Sequence, residues 1–298
     1  MEDQSIMFHG TRCIQQLRKL IKSQSGDASP LDHITWKCSS CGRDRYGLWF
    51  EKILGGEAVR FRWAPPATFS MGLDAEIEPT SLPESPSHTV VLSRGFWVQD
   101  TPCTQGVWAA VMGGNPSHFR ASDRPVECVS WKLVQAFLQK LKVMYPGFPC
   151  RLPTEAEWEY VCKQSDGDIE RSAWIYENSD IGFDLAGSEY AAPGPLQTKR
   201  RYGGRGTHRV RTKPANLLGL YELLGNVLEW CNDAPRIYSH EAALNPEGID
   251  DHERALRGGD WGTSANETRP TRRFSLPVGY CAANVGFRMV VGPWNMVS

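Results

Sequence analysis

The sequence predicts a loop-rich fold in which short strands and few helices are joined by many turns. Its 298 residues include 28 glycines, 20 prolines and 11 tryptophans, which is unusual for a long helical or parallel-sheet protein. Glycine and proline favour turns, and a buried tryptophan supplies a large apolar surface whose N–H group needs a hydrogen-bond partner. We therefore expect buried tryptophans to hold much irregular backbone in place.

Alternating sequence predicts strands in the first third of the chain. Residues 59–63 alternate between apolar and polar side chains, which is typical of a half-buried strand. Two prolines end that strand, and residues 68–72 resume the extended pattern. Residues 89–92 and 95–98 predict two further strands with a turn between them.

Capping residues predict the helices. Thr104 can cap a helix that continues to Met112, and a helix with one apolar face follows Ser130. Thr154 and Glu157 have the spacing of a capping box, which fixes the start of a third helix.

The third helix carries three carboxylates, those of Glu155, Glu157 and Glu159. Carboxylates grouped on one helix could serve acid–base chemistry, but neither a histidine nor a nucleophile accompanies them here. We therefore expect these side chains to form the helix cap and a solvated face.

A change of pattern at Val59 divides the chain. Residues 1–58 combine a short amphipathic helix over 13–23, a polar linker and an aromatic cluster around Trp49. We predict an N-terminal helix and aromatic-rich extension over residues 1–58 and the main domain over residues 59–298.

Composition gives no reason to expect nucleic acid or a membrane as a partner. The net charge is −1, and the apolar runs are far shorter than a membrane span. The acidic residues at the N-terminus lack the apolar core of a secretory signal. We therefore expect a cytoplasmic protein that binds neither nucleic acid nor a membrane.

Nine scattered cysteines include a single CxxC pair, Cys38 and Cys41. A structural zinc ion needs four ligands, and no second pair follows at a suitable spacing. In a cytoplasmic protein, reduced and buried thiols are the favoured interpretation.

Eight phrases occur in one order and together resemble the formylglycine-generating enzyme, or sulfatase-modifying factor, domain family. They are FSMG (69–72), TPCT with a tryptophan (101–108), PVECVSW (125–131), LPTEAEWEY (152–160), NLLGLY (216–221), GNVLEW (225–230), RGGDW (257–261) and GFR (286–288). The resemblance implies an α+β fold, the C-type lectin-like fold of this family. That fold has small twisted antiparallel sheets, two main helices and much irregular backbone.

The resemblance also indicates which of the family's activities are not expected of this chain. The family's oxidase binds copper through two cysteines, and the corresponding positions here are Thr263 and Thr268. A hydroxyl group cannot replace a thiolate as a ligand of Cu(I). A related branch binds iron through His-x3-His-x-Glu, yet no two of the seven histidines here lie within four residues of each other. We expect neither copper nor iron, and no enzymatic activity.

A structural calcium site is a further implication of the resemblance. The family's ligands correspond to the side chains of Glu222 and Glu229 and the backbone carbonyls of Gly225 and Val227. Oxygen ligands of this kind suit calcium. The alternative is that Glu229 accepts backbone N–H bonds in a tight turn that holds no ion.

Members of the family without the copper cysteines resemble the variable proteins of diversity-generating retroelements. In those proteins adenine-directed mutation diversifies a C-terminal segment, here about residues 257–288, whose side chains bind a ligand. The C-terminal frame of that segment is retained in this chain: Arg257, Gly258, Gly259, Trp261, Arg269, Arg273, Gly286, Phe287 and Arg288. Four interior positions depart from the family's usual residues: Pro270, Thr271, Val278 and Cys281.

This resemblance yields ten candidate ligand-binding residues within the segment. They are Thr263, Ser264, Glu267, Arg272, Phe274, Leu276, Tyr280, Ala282, Ala283 and Asn284. Phe274 and Tyr280 are the expected aromatic anchors, because rigid aromatic side chains supply contact area at a low entropic cost. The alternative is that Phe274 and Leu276 pack inward.

Three functions therefore remain in competition. The favoured one is a non-catalytic binding protein that displays a diversified C-terminal surface to an unknown ligand, with a protein as the favoured ligand class. The second is a metal-dependent oxidase of the formylglycine-generating enzyme family, or an accessory subunit of one. The third is an interaction module in which residues 1–58 dock on a partner.

Overall fold

The computed structural model describes residues 6–9, 15, 19, 38–74, 83–165, 167–180, 204–249 and 252–292. The predicted helix over residues 13–23 falls almost entirely outside these ranges. The described part contains fourteen strands. In chain order they are β1 (Ile6–His9), β2 (Ser40–Asp44), β3 (Gly47–Leu54), β4 (Glu57–Ala64), β5 (Ala67–Met71), β6 (His88–Leu92), β7 (Phe96–Gln99), β8 (Cys150–Arg151), β9 (Leu228–Trp230), β10 (Ala243–Leu244), β11 (Glu253–Arg257), β12 (Arg273–Pro277), β13 (Val285–Gly286) and β14 (Val290–Val291).

Four helices accompany the strands in the described ranges: α1 (Gln105–Met112), α2 (Trp131–Met144), α3 (Glu155–Cys162) and α4 (Ile169–Ser172). The predicted caps are confirmed, because the hydroxyl groups of Thr104, Ser130 and Thr154 each accept a hydrogen bond from a backbone N–H in the first helical turn. None of the helices in these ranges is long and apolar enough to cross a membrane.

The strands form three sheets. The largest has seven strands in the order β1-β2-β3-β4-β7-β14-β8, and all of its pairs are antiparallel. A second sheet has the order β10-β6-β5, and a third has the order β12-β11-β9-β13. Each of these two sheets contains one parallel pair, β10 with β6 and β13 with β9. The third sheet carries the C-terminal segment.

The predicted domain boundary at residue 58 is corrected by the pairing of β3 with β4. Six residue pairs join these strands in antiparallel register, and the boundary falls in β4 itself. Phe50 on β3 stacks on Phe61 of β4 at a centroid distance of 4.9 Å, and its ring edge meets Trp97 at 4.9 Å. Residues 40–54 therefore belong to the main sheet, and the change of pattern at Val59 does not mark the edge of a folded unit.

Helix α3 is buried along its whole length. The capping box between Thr154 and Glu157 is confirmed, but Glu155 and Glu159 are fully buried. The expected solvated face is therefore wrong. These two carboxylates can be buried because arginines from the C-terminal segment pair with them in place of water.

Removal of the Phe50 ring tests whether β3 is part of the core. We expect Phe50→Ala to lower the free energy of unfolding by about 3–5 kcal/mol, because a fully buried ring leaves a cavity. Ile53→Ala, on the same strand but 42% exposed, is the matched control and should cost about 1 kcal/mol or less. Urea denaturation measures both, and equal costs would contradict the corrected boundary.

Candidate functional site

Close backbone contacts fix both ends of the C-terminal segment. Gly258 and Gly259 follow β11 with φ angles of 99° and 70°, a region that strains other residues. A Cβ atom on Gly258 would lie 2.6 Å from the carbonyl oxygen of Leu223. At the other end, a Cβ atom on Gly286 would lie 2.5 Å from the carbonyl oxygen of Val126. Both ends therefore require glycine.

Buried ion pairs hold the first half of the segment to helix α3. Arg257 pairs with Glu159 and also donates to the carbonyl oxygens of Thr271 and Arg272 at 2.8 and 2.9 Å. Arg273 makes two hydrogen bonds to Glu155, at 2.6 and 2.7 Å. Paired donors of this kind fix geometry as well as charge.

A third buried pair holds the end of the segment to β9. Arg288 donates to both carboxylate oxygens of Glu229 at 2.7 Å, and the indole N–H of Trp158 donates to the same carboxylate at 2.8 Å. Sequence reasoning retained Arg288 as a frame residue but did not find this partner, which lies 59 positions away. The sequence did offer one indication: helix α3 and strand β9 carry glutamates but no lysine or arginine, so any of these glutamates that is buried needs a cationic partner from another part of the chain.

This pairing changes the interpretation of the expected calcium site. The Glu229 carboxylate accepts hydrogen bonds from Arg288 and Trp158, so it does not fit a calcium ligand. These donors are side chains, whereas the alternative interpretation, a tight turn without an ion, expected backbone N–H groups as donors. Glu222 is also buried, and burial raises the pKa of its carboxyl group to about 8. Gly225 lies in a left-handed turn with φ of 71°, and Val227 is buried. Arg288 and Trp158 therefore occupy one of the four expected ligands, Glu229, and the calcium site stays a prediction.

The C-terminal segment supplies ten of the thirteen residues that line a cleft of about 670 Å³, which we call the C-terminal cleft. Seven of the ten candidate residues line it: Thr263, Glu267, Arg272, Phe274, Tyr280, Ala282 and Asn284. Six further residues complete the lining: Tyr176, Arg205, Leu228, Asp260, Trp261 and Gly262. Sequence reasoning missed these six as ligand contacts, although Trp261 was recognised as a frame residue.

Three candidate residues do not line the cleft. Ala283 is buried against Phe119 and Trp261, and Leu276 packs on the main hydrophobic core. The carbonyl oxygen of Ser264 accepts hydrogen bonds from the N–H and hydroxyl groups of Thr268. Inward packing is therefore right for Leu276, whereas Phe274 both contacts the core and lines the cleft.

Buried groups support the floor of the cleft beneath Trp261. The indole N–H of Trp261 donates to the carbonyl oxygen of Ala283 at 3.1 Å, and Phe119 meets the Trp261 ring edge-on at 5.6 Å. Glu127 accepts a hydrogen bond from the Phe119 backbone N–H at 2.7 Å. Burial raises the pKa of the Glu127 carboxyl group to about 7.

Charged and aromatic groups are mixed on the walls. The Arg205 guanidinium lies 3.8 Å from the centre of the Tyr176 ring. Arg272 lies 5.2 Å from the centre of the Phe274 ring, and its Nη2 atom is 3.7 Å from the Glu267 carboxylate. Such a surface suits recognition through cation–π, apolar and polar contacts.

Threonines occupy the two positions at which the family's oxidase has its copper cysteines. The Thr263 hydroxyl accepts a hydrogen bond from the Asp260 backbone N–H at 3.0 Å, and the Thr268 hydroxyl donates to the Ser264 carbonyl oxygen at 2.9 Å. Both hydroxyl groups therefore stabilise local turns, and neither supplies a soft ligand.

Residues 59–293 match the family model of the Sulfatase-modifying factor enzyme 1-like domain. The chain belongs to this family. Two relatives are the Chaperone protein LppX of Paenibacillus barcinonensis, 29% identical over 64% of this chain and 76% of that protein, and the Formylglycine-generating enzyme of Mus musculus, 30% identical over 67% of this chain. The chain spans about half, 52%, of the mouse enzyme's length.

The solved structure of Treponema denticola variable protein 1 has a similar fold, with a TM-score of 0.65 and 25% sequence identity. The similarity covers 82% of this chain and 99% of that protein. The predicted α+β fold, a C-type lectin-like fold of the sulfatase-modifying factor kind, is thereby confirmed, and so is the resemblance to variable proteins. Within the described ranges the chain forms three sheets, and one of them is larger than the family resemblance implied.

The pair between Arg288 and Glu229 should dominate the stability of the segment. We expect Arg288→Met to lower the free energy of unfolding by about 3–5 kcal/mol, because it strands the Glu229 carboxylate in the interior. Arg288→Met combined with Glu229→Gln should recover part of that loss. The comparison is made by guanidinium denaturation.

Arg60 supplies the matched control, since it pairs with Glu51 at 2.8 Å while both side chains remain about one quarter exposed. Arg60→Met should cost about 1 kcal/mol or less. A loss in Arg288→Met no greater than that in Arg60→Met would show that the buried pair does not hold the segment.

Proposed function

We propose that this chain is a non-catalytic ligand-binding protein whose C-terminal surface is diversified, as in the variable proteins of diversity-generating retroelements. One observation carries the proposal: seven candidate positions, spread between residues 263 and 284, line a single cleft. Between and beside them, Arg257, Arg273 and Arg288 are buried in ion pairs. Variable and fixed positions thus have separate structural roles.

This separation suits diversification for a physical reason. Side chains on the wall of an open cleft can change with little effect on stability, whereas a change at a buried ion pair is costly. The likeness to Treponema denticola variable protein 1 supports the same conclusion.

A protein is the ligand class that the C-terminal cleft fits best. Tyr176 and Tyr280 are 48% and 43% exposed, and exposed rings of this kind are common anchors in protein interfaces. The volume of about 670 Å³ can receive several side chains of a partner. Rigid support beneath Trp261 reduces the entropy lost when a partner binds.

Comparison of the gene with its template tests the proposal. We expect a nearby near-copy of the DNA that encodes residues 257–288, together with a reverse transcriptase gene. Differences between copy and gene should fall in the codons of the seven cleft residues and spare those of Arg257, Arg273 and Arg288. DNA sequencing of the gene and its neighbourhood provides the measurement. The absence of a copy, or differences spread equally over the frame codons, would sink the retroelement role.

An oxidase or accessory role is the second candidate, favoured by relatives that are named formylglycine-generating enzymes. It requires tight copper binding and copper-dependent oxygen uptake with a thiol substrate. We expect neither in the purified protein, because Thr263 and Thr268 offer hydroxyl groups where Cu(I) needs thiolates. The double variant Thr263→Cys/Thr268→Cys is the control and should bind Cu(I). Stoichiometric Cu(I) binding with oxygen uptake by the unchanged protein would favour the oxidase.

A further inference from the structure

The carboxylate of Asp260 lies on the floor of the C-terminal cleft. Asp260 follows the two-glycine turn after β11 and is only 8% exposed. Its Oδ1 atom accepts a hydrogen bond from the Gly262 N–H at 2.6 Å, and its Oδ2 atom accepts one from the Asn284 side-chain amide at 2.7 Å. These hydrogen bonds hold the side chain in one orientation within the cleft lining.

The environment of Asp260 differs from that of the three buried carboxylates that pair with arginines of the C-terminal frame. Glu155, Glu159 and Glu229 each face an arginine. Within the described ranges, no lysine, arginine or histidine nitrogen lies within 4.0 Å of the Asp260 carboxylate, and Gly262 and Asn284, which donate hydrogen bonds to it, are neutral. Burial without a cation raises the pKa of the Asp260 carboxyl group.

The two arginines that line the cleft are engaged elsewhere. Arg205 donates to the Tyr176 carbonyl oxygen at 2.6 Å and lies over that residue's ring. Arg272 lies over Phe274, with Glu267 as its acidic neighbour. The cleft therefore combines a buried negative charge on its floor with cations held on its walls.

We propose that Asp260 forms a cation site, which receives the ammonium or guanidinium group of a lysine or arginine side chain on the protein ligand. This inference rests on the proposed function, since it names the chemistry by which the same cleft binds. A cation on the ligand would offset the cost of burying the Asp260 charge. The rings of Trp261 and Phe274 would contact the apolar stem of the same side chain.

Matched peptides test the site without knowledge of the natural ligand. The probes are Ac-Gly-Gly-X-Gly-Gly-amide with X as lysine, arginine, norleucine or glutamate. Norleucine keeps an aliphatic stem similar to that of lysine and lacks the charge. NMR titration of the folded full chain would follow the Asn284 side-chain amide and the Trp261 indole N–H, which lie at the floor.

We expect the lysine and arginine peptides to bind roughly tenfold more tightly than the norleucine peptide, which is typical of a charged hydrogen bond. Asp260→Asn should abolish this preference. Glu267→Gln removes the same charge from a side chain that is 57% exposed in the same cleft, and it should retain the preference.

Equal affinities for the lysine and norleucine peptides would overturn the cation site, and the comparison needs no variant that could fail to fold. Equal loss in Asp260→Asn and Glu267→Gln would overturn it as well, because the effect would then be one of net charge. Absence of any shift with all four peptides also rejects it. The proposed function is decided separately, by the positions at which the gene and its template differ.

Discussion

Buried pairs of opposite charge are the interaction on which the C-terminal half of the molecule depends. Three arginines of the C-terminal frame reach carboxylates on helix α3 and strand β9: Arg257 to Glu159, Arg273 to Glu155 and Arg288 to Glu229. Each partner alone would be a buried charge without compensation, so the two sides of every pair require each other. The three pairs therefore fix where the ends of the segment lie on helix α3 and strand β9.

The buried pairs explain how a segment with little regular structure can hold its side chains in fixed positions. Between Arg257 and Arg273 the backbone makes tight turns with little regular structure, yet both ends of that stretch are held at helix α3. Because both ends are anchored, the side chains that point outward from this stretch have set positions and do not need to pack against one another. This arrangement suits the proposed binding surface, in which the identity of a side chain can vary while its position stays fixed.

Sequence reasoning succeeded where the deciding interaction is local and failed where it is not. The hydroxyl of Thr154 caps a helix whose partner group lies three residues away, so spacing alone predicts it. The burial of Glu159 depends on Arg257, 98 positions later, and no period in the sequence encodes that contact. The same limit applies to the strand pairing across residue 58, since the aromatic cluster around Trp49 could not identify its partner strand.

The residues that line the C-terminal cleft also divide into those that the sequence could predict and those that it could not. Seven lining residues could be predicted because they lie on the segment that the family resemblance singled out. Tyr176 and Arg205 could not, because they lie between residues 160 and 216, where none of the eight phrases of the family resemblance falls. Asp260 was passed over as an ordinary residue of the RGGDW phrase. The role proposed for Asp260 depends on its neutral hydrogen-bond donors, which the sequence does not reveal.

The threonines at the positions of the copper cysteines close the loop in a different way from a thiolate pair. A thiolate pair organises its loop by sharing one ion, and its loss would leave the loop without that link. Here the Thr263 hydroxyl accepts from the Asp260 N–H, and the Thr268 hydroxyl donates to the Ser264 carbonyl oxygen. Each threonine therefore closes a turn of its own. Local hydrogen bonds hold the loop between the Gly259 turn and Arg273, and the buried pairs hold its ends.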